Sequence, residues 1–348
     1  MATQQDVARR ARVSYMTVSR VVNNQPNVRA GTRERVLQAI RELSYHPNAA
    51  ARALSAGRTR NIGMIFPPEE DILARPYFTE LSVKLERNLS SRGYHLFLGS
   101  IRKGTKDPEL HRLIAERKVD GLILFAPSAD DPNVRLLAAE NVPFVVVHGR
   151  SRDARYSYVD SDNGAGLRLV LEHVSGLGHR HIAFVCGPLQ ELNAQERLDA
   201  YRGFLESRAF PYDERLVFRG DWSLESGYDA FTRLFGKGRR PTAIVFSNDQ
   251  MALGGIKAAH DQGVSLPGEV SITGFDDIKY ASFSSPSLTT IRQPTDEIAR
   301  TAVDLMLERI TRDSPFREII LAPELIVRSS TGPVQRPNAP SAYNSERN

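Results

Sequence analysis

Asp6-Val7-Ala8, followed a few residues on by Val13-Ser14-Tyr15-Met16-Thr17-Val18-Ser19-Arg20-Val21-Val22-Asn23, decides how the chain begins to fold. Thr3 stands three residues before Asp6, the spacing of a capping box. Val7, Ala8 and Ala11 give a first helix one apolar side. Ser14 is placed to cap a second helix, whose Val18, Val21 and Val22 face inward at i, i+3 and i+4. Asn23-Asn24 ends it. Tyr15, Met16 and Arg20 then point outward. Two short helices joined by a tight turn, with polar groups outward at the start of the second, can bring side chains against base edges in a major groove. An arginine there can make two hydrogen bonds to guanine, worth about 1–3 kcal/mol of discrimination. Tyr15 adds a hydroxyl and a ring, and Met16 a soft apolar contact suited to a thymine methyl.

Outward from this stretch, Thr32 is expected to cap a third helix with Val36, Ala39, Ile40 and Leu43 as its inner stripe, stopped by Tyr45-His46-Pro47. Asn48-Ala49-Ala50-Ala51-Arg52-Ala53-Leu54-Ser55-Ala56-Gly57 has a cap, alanines and a terminator. A helix this short is marginal alone, because nucleation is costly. It reads as a conditional helix, ordered when something holds it. Residues 1–60 carry eleven arginines against Asp6, Glu34 and Glu42, a net +8. With +5 overall, the rest of the chain carries −3. A basic head on a slightly acidic body is the charge pattern of a nucleic-acid reader attached to a regulatory module.

At 348 residues the chain is too long for one ordinary core. From Asn61 the pattern alternates. Strand-like apolar runs are Ile62–Phe66, Leu96–Leu98, Leu122–Phe125, Phe144–Val147, Ile182–Val185, Ala243–Phe246 and Val270–Gly274. Amphipathic stretches such as Leu81–Leu89, Glu109–Glu116, Arg197–Glu206 and Met251–Asp261 lie between them. This β-α-β rhythm predicts parallel sheets with helices on both faces. Its length suits two lobes joined by crossing strands, with a cleft between them. No apolar run approaches the roughly 20 residues that span a bilayer, and the N-terminus lacks an apolar signal core. The single cysteine, Cys186, permits no internal disulfide, which suits a reducing compartment. A cytoplasmic location and no membrane partner are therefore expected.

The chain resembles the LacI/GalR family of transcription regulators from Thr3 to about Arg328. The likeness rests on the head motif, on Asn48-Ala-Ala-Ala-Arg-Ala-Leu54, and on an ordered series in the body. That series is Gly178-His179, Gly187-Pro188-Leu189, Gln195-Glu196-Arg197-Leu198, Asn248-Asp249-Gln250-Met251-Ala252, Gly274-Phe275-Asp276-Asp277 and Ser287-Leu288-Thr289-Thr290-Ile291. The resemblance implies an all-α helix-turn-helix headpiece on an α/β, two-lobed, periplasmic-binding-protein-like body. It implies a headpiece over 1–46, a hinge and linker over 47–59, and an effector-binding and dimerisation domain over 60–331. The N-lobe would be about 60–160 with 292–322, the C-lobe about 161–291 with 323–331, and 332–348 a disordered tail. Tyr15, Met16 and Arg20 match positions that choose sequence. Thr3, Ser14, Thr17, Ser19, Asn23 and Asn27 match positions that hold phosphates or nearby bases. Asn48, Ala51 and Leu54 belong to the hinge, where two such helices of a dimer enter the minor groove and the leucines wedge a base step apart. The family usually has glycine where this chain has Arg12, at a turn that commonly needs left-handed backbone, at a cost of order 1 kcal/mol.

Arg197, Asn248 and Asp276 fall near strand ends, where open α/β sheets bind ligands. A donor-only fork, an amide and an acceptor-only carboxylate together suit a ring of hydroxyls. Trp222, the only tryptophan, can stack on a sugar face, Phe78 can close the other side, and His148 follows a strand. Asp162-Asn163-Gly164, Asp249 and Asp277 read as caps and interlobe hydrogen bonds. His179 and His181 lack partners at metal spacing, and no nucleophile elbow or phosphate-binding glycine fingerprint is present. Neither an enzyme nor a cofactor is expected. The expectation is a homodimeric, sequence-specific regulator, a repressor by preference, binding a pseudo-palindromic duplex operator and a small effector. A mono- or disaccharide comes first among effectors, a phosphorylated sugar or purine-like base next. The alternatives are a two-lobed sugar-binding protein without DNA function and an α/β enzyme.

Overall fold

The computed structural model describes residues 2–22, 25–45, 57–66, 72–100, 108–128, 130–150, 155–236, 240–312 and 314–334. The chain divides into two compact units, Met1–Asn61 with Leu113–Asp120, and Ile62–Arg112 with Gly121–Asn348.

In the first unit, α1 (Gln4–Ala11), α2 (Tyr15–Val22) and α3 (Ala30–Glu42) enclose Val7, Ala8, Ala11, Val18, Val21, Val36 and Ala39. The capping box forms: Thr3 Oγ1 accepts from the Asp6 N–H at 3.3 Å, and the Asp6 carboxylate accepts from the Thr3 N–H at 2.9 Å. Ser14 Oγ accepts from the Thr17 N–H at 3.2 Å and so caps α2. Arg12 turns the chain between the two helices with φ 52° and ψ 52°, the left-handed conformation expected there. The cap of α3 differs from expectation. Arg29 precedes the helix without a side-chain cap, and the Thr32 N–H donates to the Arg29 carbonyl at 3.0 Å. Thr32 therefore lies inside the first turn. Residues 46–56 of the hinge region, with Asn48, Ala51 and Leu54, and also Asn23, lie outside the described residues.

The second unit holds two parallel sheets. The first has β1 (Asn61–Phe66), β2 (His95–Ser100), β3 (Gly121–Phe125), β4 (Phe144–Val147), β5 (Ser157–Ser161) and β11 (Glu318–Leu321), in the order β11-β5-β4-β3-β1-β2. The second has β6 (Ile182–Cys186), β7 (Val217–Arg219), β8 (Ala243–Phe246) and β9 (Ser271–Thr273), in the order β7-β6-β8-β9. β4, β6 and β8 are buried along their whole length, as central parallel strands with covered faces must be.

Against the first sheet, α4 (Pro76–Ser90) and α11 (Thr295–Thr311) pack through Phe78, Leu81, Leu85, Leu89, Ile298 and Val303. The second sheet is sandwiched. One face meets α7 (Asn163–Gly176) and α8 (Leu192–Ser207), and the other meets α9 (Leu224–Gly236) and α10 (Asp249–Asp261). At Gly227 a Cβ would stand 2.0 Å from the Met251 carbonyl oxygen, so glycine lets α9 and α10 touch backbone to backbone. The chain returns from the second sheet to the first through α11 and β11. It ends with β12 (Glu324–Ile326), antiparallel to β10 (Thr290–Arg292).

The sequence pattern did not point to β5, β7, β10, β11 or β12. β5 reads Ser-Tyr-Val-Asp-Ser and is nevertheless buried throughout. Two of its polar side chains have partners: Asp160 accepts from the Ser161 N–H at 2.7 Å, and Ser157 Oγ from the Arg317 N–H at 3.2 Å, whereas the buried Ser161 hydroxyl has none among the described residues. Residues 332–334, expected to belong to a disordered tail, have hydrogen-bond partners. Gly332 accepts from His179 Nε2 at 3.0 Å and Val334 N–H donates to Leu177 at 3.1 Å, so residues 332–334 are tied to the second sheet's unit. Residues 335–348 lie outside the described residues.

Candidate nucleic-acid interface and ligand cleft

On α2, Tyr15 is 51% and Met16 59% exposed, although each adjoins the buried valines of the same helix. Arg20, Thr3, Ser14 and Asn27 are exposed too, while Thr17 and Ser19 are half-buried. Ser14 and Thr17 hydroxyls share a 2.9 Å hydrogen bond, which holds the first turn of α2 in place. The helix thus offers one apolar, one phenolic and one cationic side chain on a rigid face. Exposed Arg9, Arg10 and Arg12 on and after α1 add positive charge, part of it paired within the head by Arg9–Asp6 and Arg10–Glu42.

In the second unit, one cleft of about 620 Å³, counting space open at its mouth, is lined by all six expected effector residues, Phe78, His148, Arg197, Trp222, Asn248 and Asp276. Arg197 is 3% exposed. Its Nε and Nη2 donate to Asn163 Oδ1 at 3.0 and 2.8 Å, its Nη1 donates to the Ser247 carbonyl, and its guanidinium lies 3.6 Å over the Phe275 ring. Burial lowers its pKa, opposed by Asp276 and Asp160. Asp276 Oδ1 accepts from Gln293 Nε2 at 2.7 Å. Burial lifts the Asp276 carboxyl well above the usual range, against the pull of Arg197 and with a push from Asp249.

The other four play parts that differ from one another. Trp222 donates from Nε1 to Glu191 at 3.0 Å, and its ring lies so close to Gly187 that a Cβ there would stand 2.1 Å away. Asn248 caps α10 by accepting from the Met251 N–H at 2.9 Å and donates to the Trp222 carbonyl at 3.1 Å. Two of its polar groups are thus spent on the frame. Phe78 sits edge-on to Phe66 and Phe125, 5.0 Å from each, and belongs to the first sheet's core. It forms wall rather than a free stacking platform. The neighbouring Tyr77 reaches His148 instead, at 2.6 Å from Nε2, while His148 Nδ1 meets Asp160 Oδ1 at 2.8 Å.

Ala126, His148, Trp222 and Asp276 line this cleft with φ of 43°, 58°, 73° and 129°. Backbone in sparsely populated regions costs of order 1–3 kcal/mol per residue, and gathers at ligand clamps. Of the remaining motif residues, Asp162 caps a helix as read, while Asp249 bonds within the second sheet's lobe rather than as a cap or between lobes. Asp162 accepts from the Ala165 N–H at 2.7 Å, Asp249 from the Ile278 N–H at 2.9 Å, and Asp277 pairs with Arg292 and Arg328. Among the described residues no cluster of His, Cys, Asp or Glu could hold a metal. No helix among them is long and apolar enough to cross a membrane.

The model for bacterial regulatory proteins of the lacI family matches residues 3–48, and that for a periplasmic binding protein-like domain matches residues 171–331. The HTH-type transcriptional repressor PurR of Haemophilus influenzae (strain PittEE) is 35% identical over 335 residues, covering 95% of this chain and 98% of the relative. The chain belongs to the lacI family. Another relative, the HTH-type transcriptional repressor PurR of Salmonella typhi, is 33% identical over 334 residues, 95% of this chain and 97% of its own. Among solved structures, the lac repressor dimer bound to operator and the anti-inducer ONPF is 32% identical, with a TM-score of 0.84 and coverage of 95% and 99%. The complex of the transcriptional regulator CelR with cellobiose is also 32% identical, with a TM-score of 0.72 and coverage of 95% and 100%. This lacI-family chain is a DNA-binding transcriptional repressor, and its relatives are regulators rather than enzymes.

The family motifs drew attention to Arg197, Asn248 and Asp276 but passed over Tyr77, Glu191, Gln293 and Asp160. Tyr77 was within reach of sequence reasoning, since it adjoins Phe78. Asp160 was not, because it sits in β5, whose polar composition hides a strand.

Proposed function

We propose that this lacI-family repressor acts as a homodimer on a near-palindromic operator, and that a neutral mono- or disaccharide in the cleft sets its affinity. Tyr15, Met16 and Arg20 read bases. Thr3, Ser14, Thr17, Ser19, Asn23 and Asn27 hold phosphates or nearby bases. Asn48, Ala51 and Leu54 form the minor-groove contact of a hinge over 47–59. The observation that carries the effector reading is the meeting of Arg197, Asp276 and Trp222 in the lining of one cleft. Three of the five Arg197 N–H groups are taken by the protein, which leaves two donors near the Asp276 acceptor. Donor, acceptor and aromatic face together suit a hydroxyl-bearing ring. The solved CelR–cellobiose complex supports the same ligand class.

Ligand can shift operator affinity only by preferring one lobe arrangement to the other. Neutralising phosphates with the arginine-rich head gives a steep fall in affinity with salt.

Thermal-shift measurement of the full chain against neutral sugars tests the effector reading, with Asp276→Ala as control. A stabilising sugar whose effect disappears in Asp276→Ala, and which changes operator footprinting by wild type, is the expected result. Equal stabilisation of both proteins would sink the assignment.

A further inference from the structure

Tyr77, His148 and Asp160 form a hydrogen-bonded chain that the function above does not use. Tyr77 packs against the cores of both sheets, and with His148 it lines the cleft. His148 is 4% and Asp160 1% exposed. Asp160 Oδ1 already accepts the Ser161 N–H at 2.7 Å, which marks it as an acceptor, so the hydrogen on its 2.8 Å contact comes from His148 Nδ1. A neutral imidazole with a proton on Nδ1 has only a lone pair on Nε2. The 2.6 Å contact there must then carry the phenol hydrogen. Burial, with Asp276 and Asp160 nearby, raises the Tyr77 pKa well above the ordinary phenol value and keeps that hydrogen in place.

We infer that Asp160 and His148 fix Tyr77 as a hydrogen-bond acceptor in the cleft, so that the site selects a ligand offering a hydroxyl or N–H there and rejects one offering a carboxylate or phosphate. Tyr77 is a specificity-determining residue, and His148 and Asp160 are positioning residues that set its polarity. The inference rests on the cleft being the effector site. An anion at this point would face oxygen lone pairs with no hydrogen left to share. Sites built to pair one polar group discriminate strongly against analogues that leave it unpaired.

Two measurements on the full-length protein decide it. With ¹⁵N-histidine labelling, and the His148 signal identified by its loss in His148→Gln, nitrogen shifts should show protonated Nδ1 and unprotonated Nε2 at neutral pH. An imidazolium, or the opposite tautomer, overturns the chain's polarity. The probes for the second measurement are glucose and cellobiose against glucuronate and glucose 6-phosphate. Wild type should bind a neutral sugar in preference to the anions, and Tyr77→Phe, which keeps the ring that packs on both cores, should bind it at least about tenfold more weakly. Asp160→Asn should lose the preference for neutral over anionic probes. Undiminished binding by Tyr77→Phe overturns the assignment of Tyr77 alone, whereas a wild-type preference for the anions overturns it together with the neutral-sugar reading. Failure of wild type to bind any probe removes the sugar-effector reading, and this inference falls with it.

Discussion

On α2, the three side chains proposed to read bases stand within six consecutive residues, Tyr15 to Arg20, on a helix that buries Val18 and Val21. In the cleft, Tyr77, His148, Arg197, Trp222 and Asp276 come from five separate stretches: a helix start, the ends of strands and the interior of α8. The first site is a property of one helix and its cap. The second exists only after two sheets, a returning helix and several left-handed turns have assembled. A change in the body can therefore erase the cleft while leaving the α2 face intact, and a change on α2 alters reading without touching the core.

The hardest test of that contrast is Gly227→Val. Its Cβ would meet the Met251 backbone, which cannot move like a side chain, and overpacking of this sort costs about 3 kcal/mol or more. Calorimetry should show the second unit melting earlier, with the NMR signals of Tyr15 and Val18 unchanged at temperatures below that transition. Joint loss of both would show the units to be interdependent. Arg20→Ala works from the other side. It should remove about 1–3 kcal/mol of discrimination between the operator and a base-substituted copy, and change stability by less than about 0.5 kcal/mol. A loss of affinity equal for every sequence would make Arg20 a phosphate contact instead.

Asp249 sharpens the cleft side through pH. Burial pushes its carboxyl up to about 7, outweighing its hydrogen bonds from Thr290 and Ile278. Between its ordinary value of 3.8 and about 7, the folded protein keeps a proton that the unfolded chain has released. Stability should then fall as pH rises through this window, by up to about 1.4 kcal/mol per pH unit. Urea midpoints at pH 5, 6 and 7 should show a shallower slope in Asp249→Asn, whatever its absolute stability. Parallel slopes would assign the pH dependence elsewhere. The smallest effect is expected at Arg12, whose φ of 52° costs a non-glycine residue of order 1 kcal/mol. Arg12→Gly should raise the headpiece melting temperature slightly, and a fall would mean that the arginine side chain contributes more than its backbone costs.

Much of this architecture is legible in the chain. The apolar runs of β1, β3, β4, β6 and β8 announce buried parallel strands, and Thr3, Asp6 and Ser14 announce two helix starts. β5 is not legible, because Ser157, Asp160 and Ser161 are polar, and the partners that let Ser157 and Asp160 be buried come from elsewhere in the chain. α7 begins Asn-Gly-Ala-Gly, which argues locally for a turn, yet Asp162 caps it and packing carries it on. Thr32 shows the reverse failure, a residue of cap chemistry absorbed into a helix that begins two residues earlier. In the cleft, Arg197, Asn248 and Asp276 were visible through their motifs. That Asn248 is largely committed to capping α10 and holding Trp222 could not be read from its chemistry alone.

By itself the sequence determined the headpiece helices, the caps of the first two, the side chains they expose and the alternating plan of the body, since each follows from spacing over a few residues. Only the tertiary structure decided which polar groups are consumed by the frame and which remain for a ligand. Those partnerships join residues up to about two hundred positions apart, and a hydrogen bond's direction at Tyr77 depends on a carboxylate two partners away.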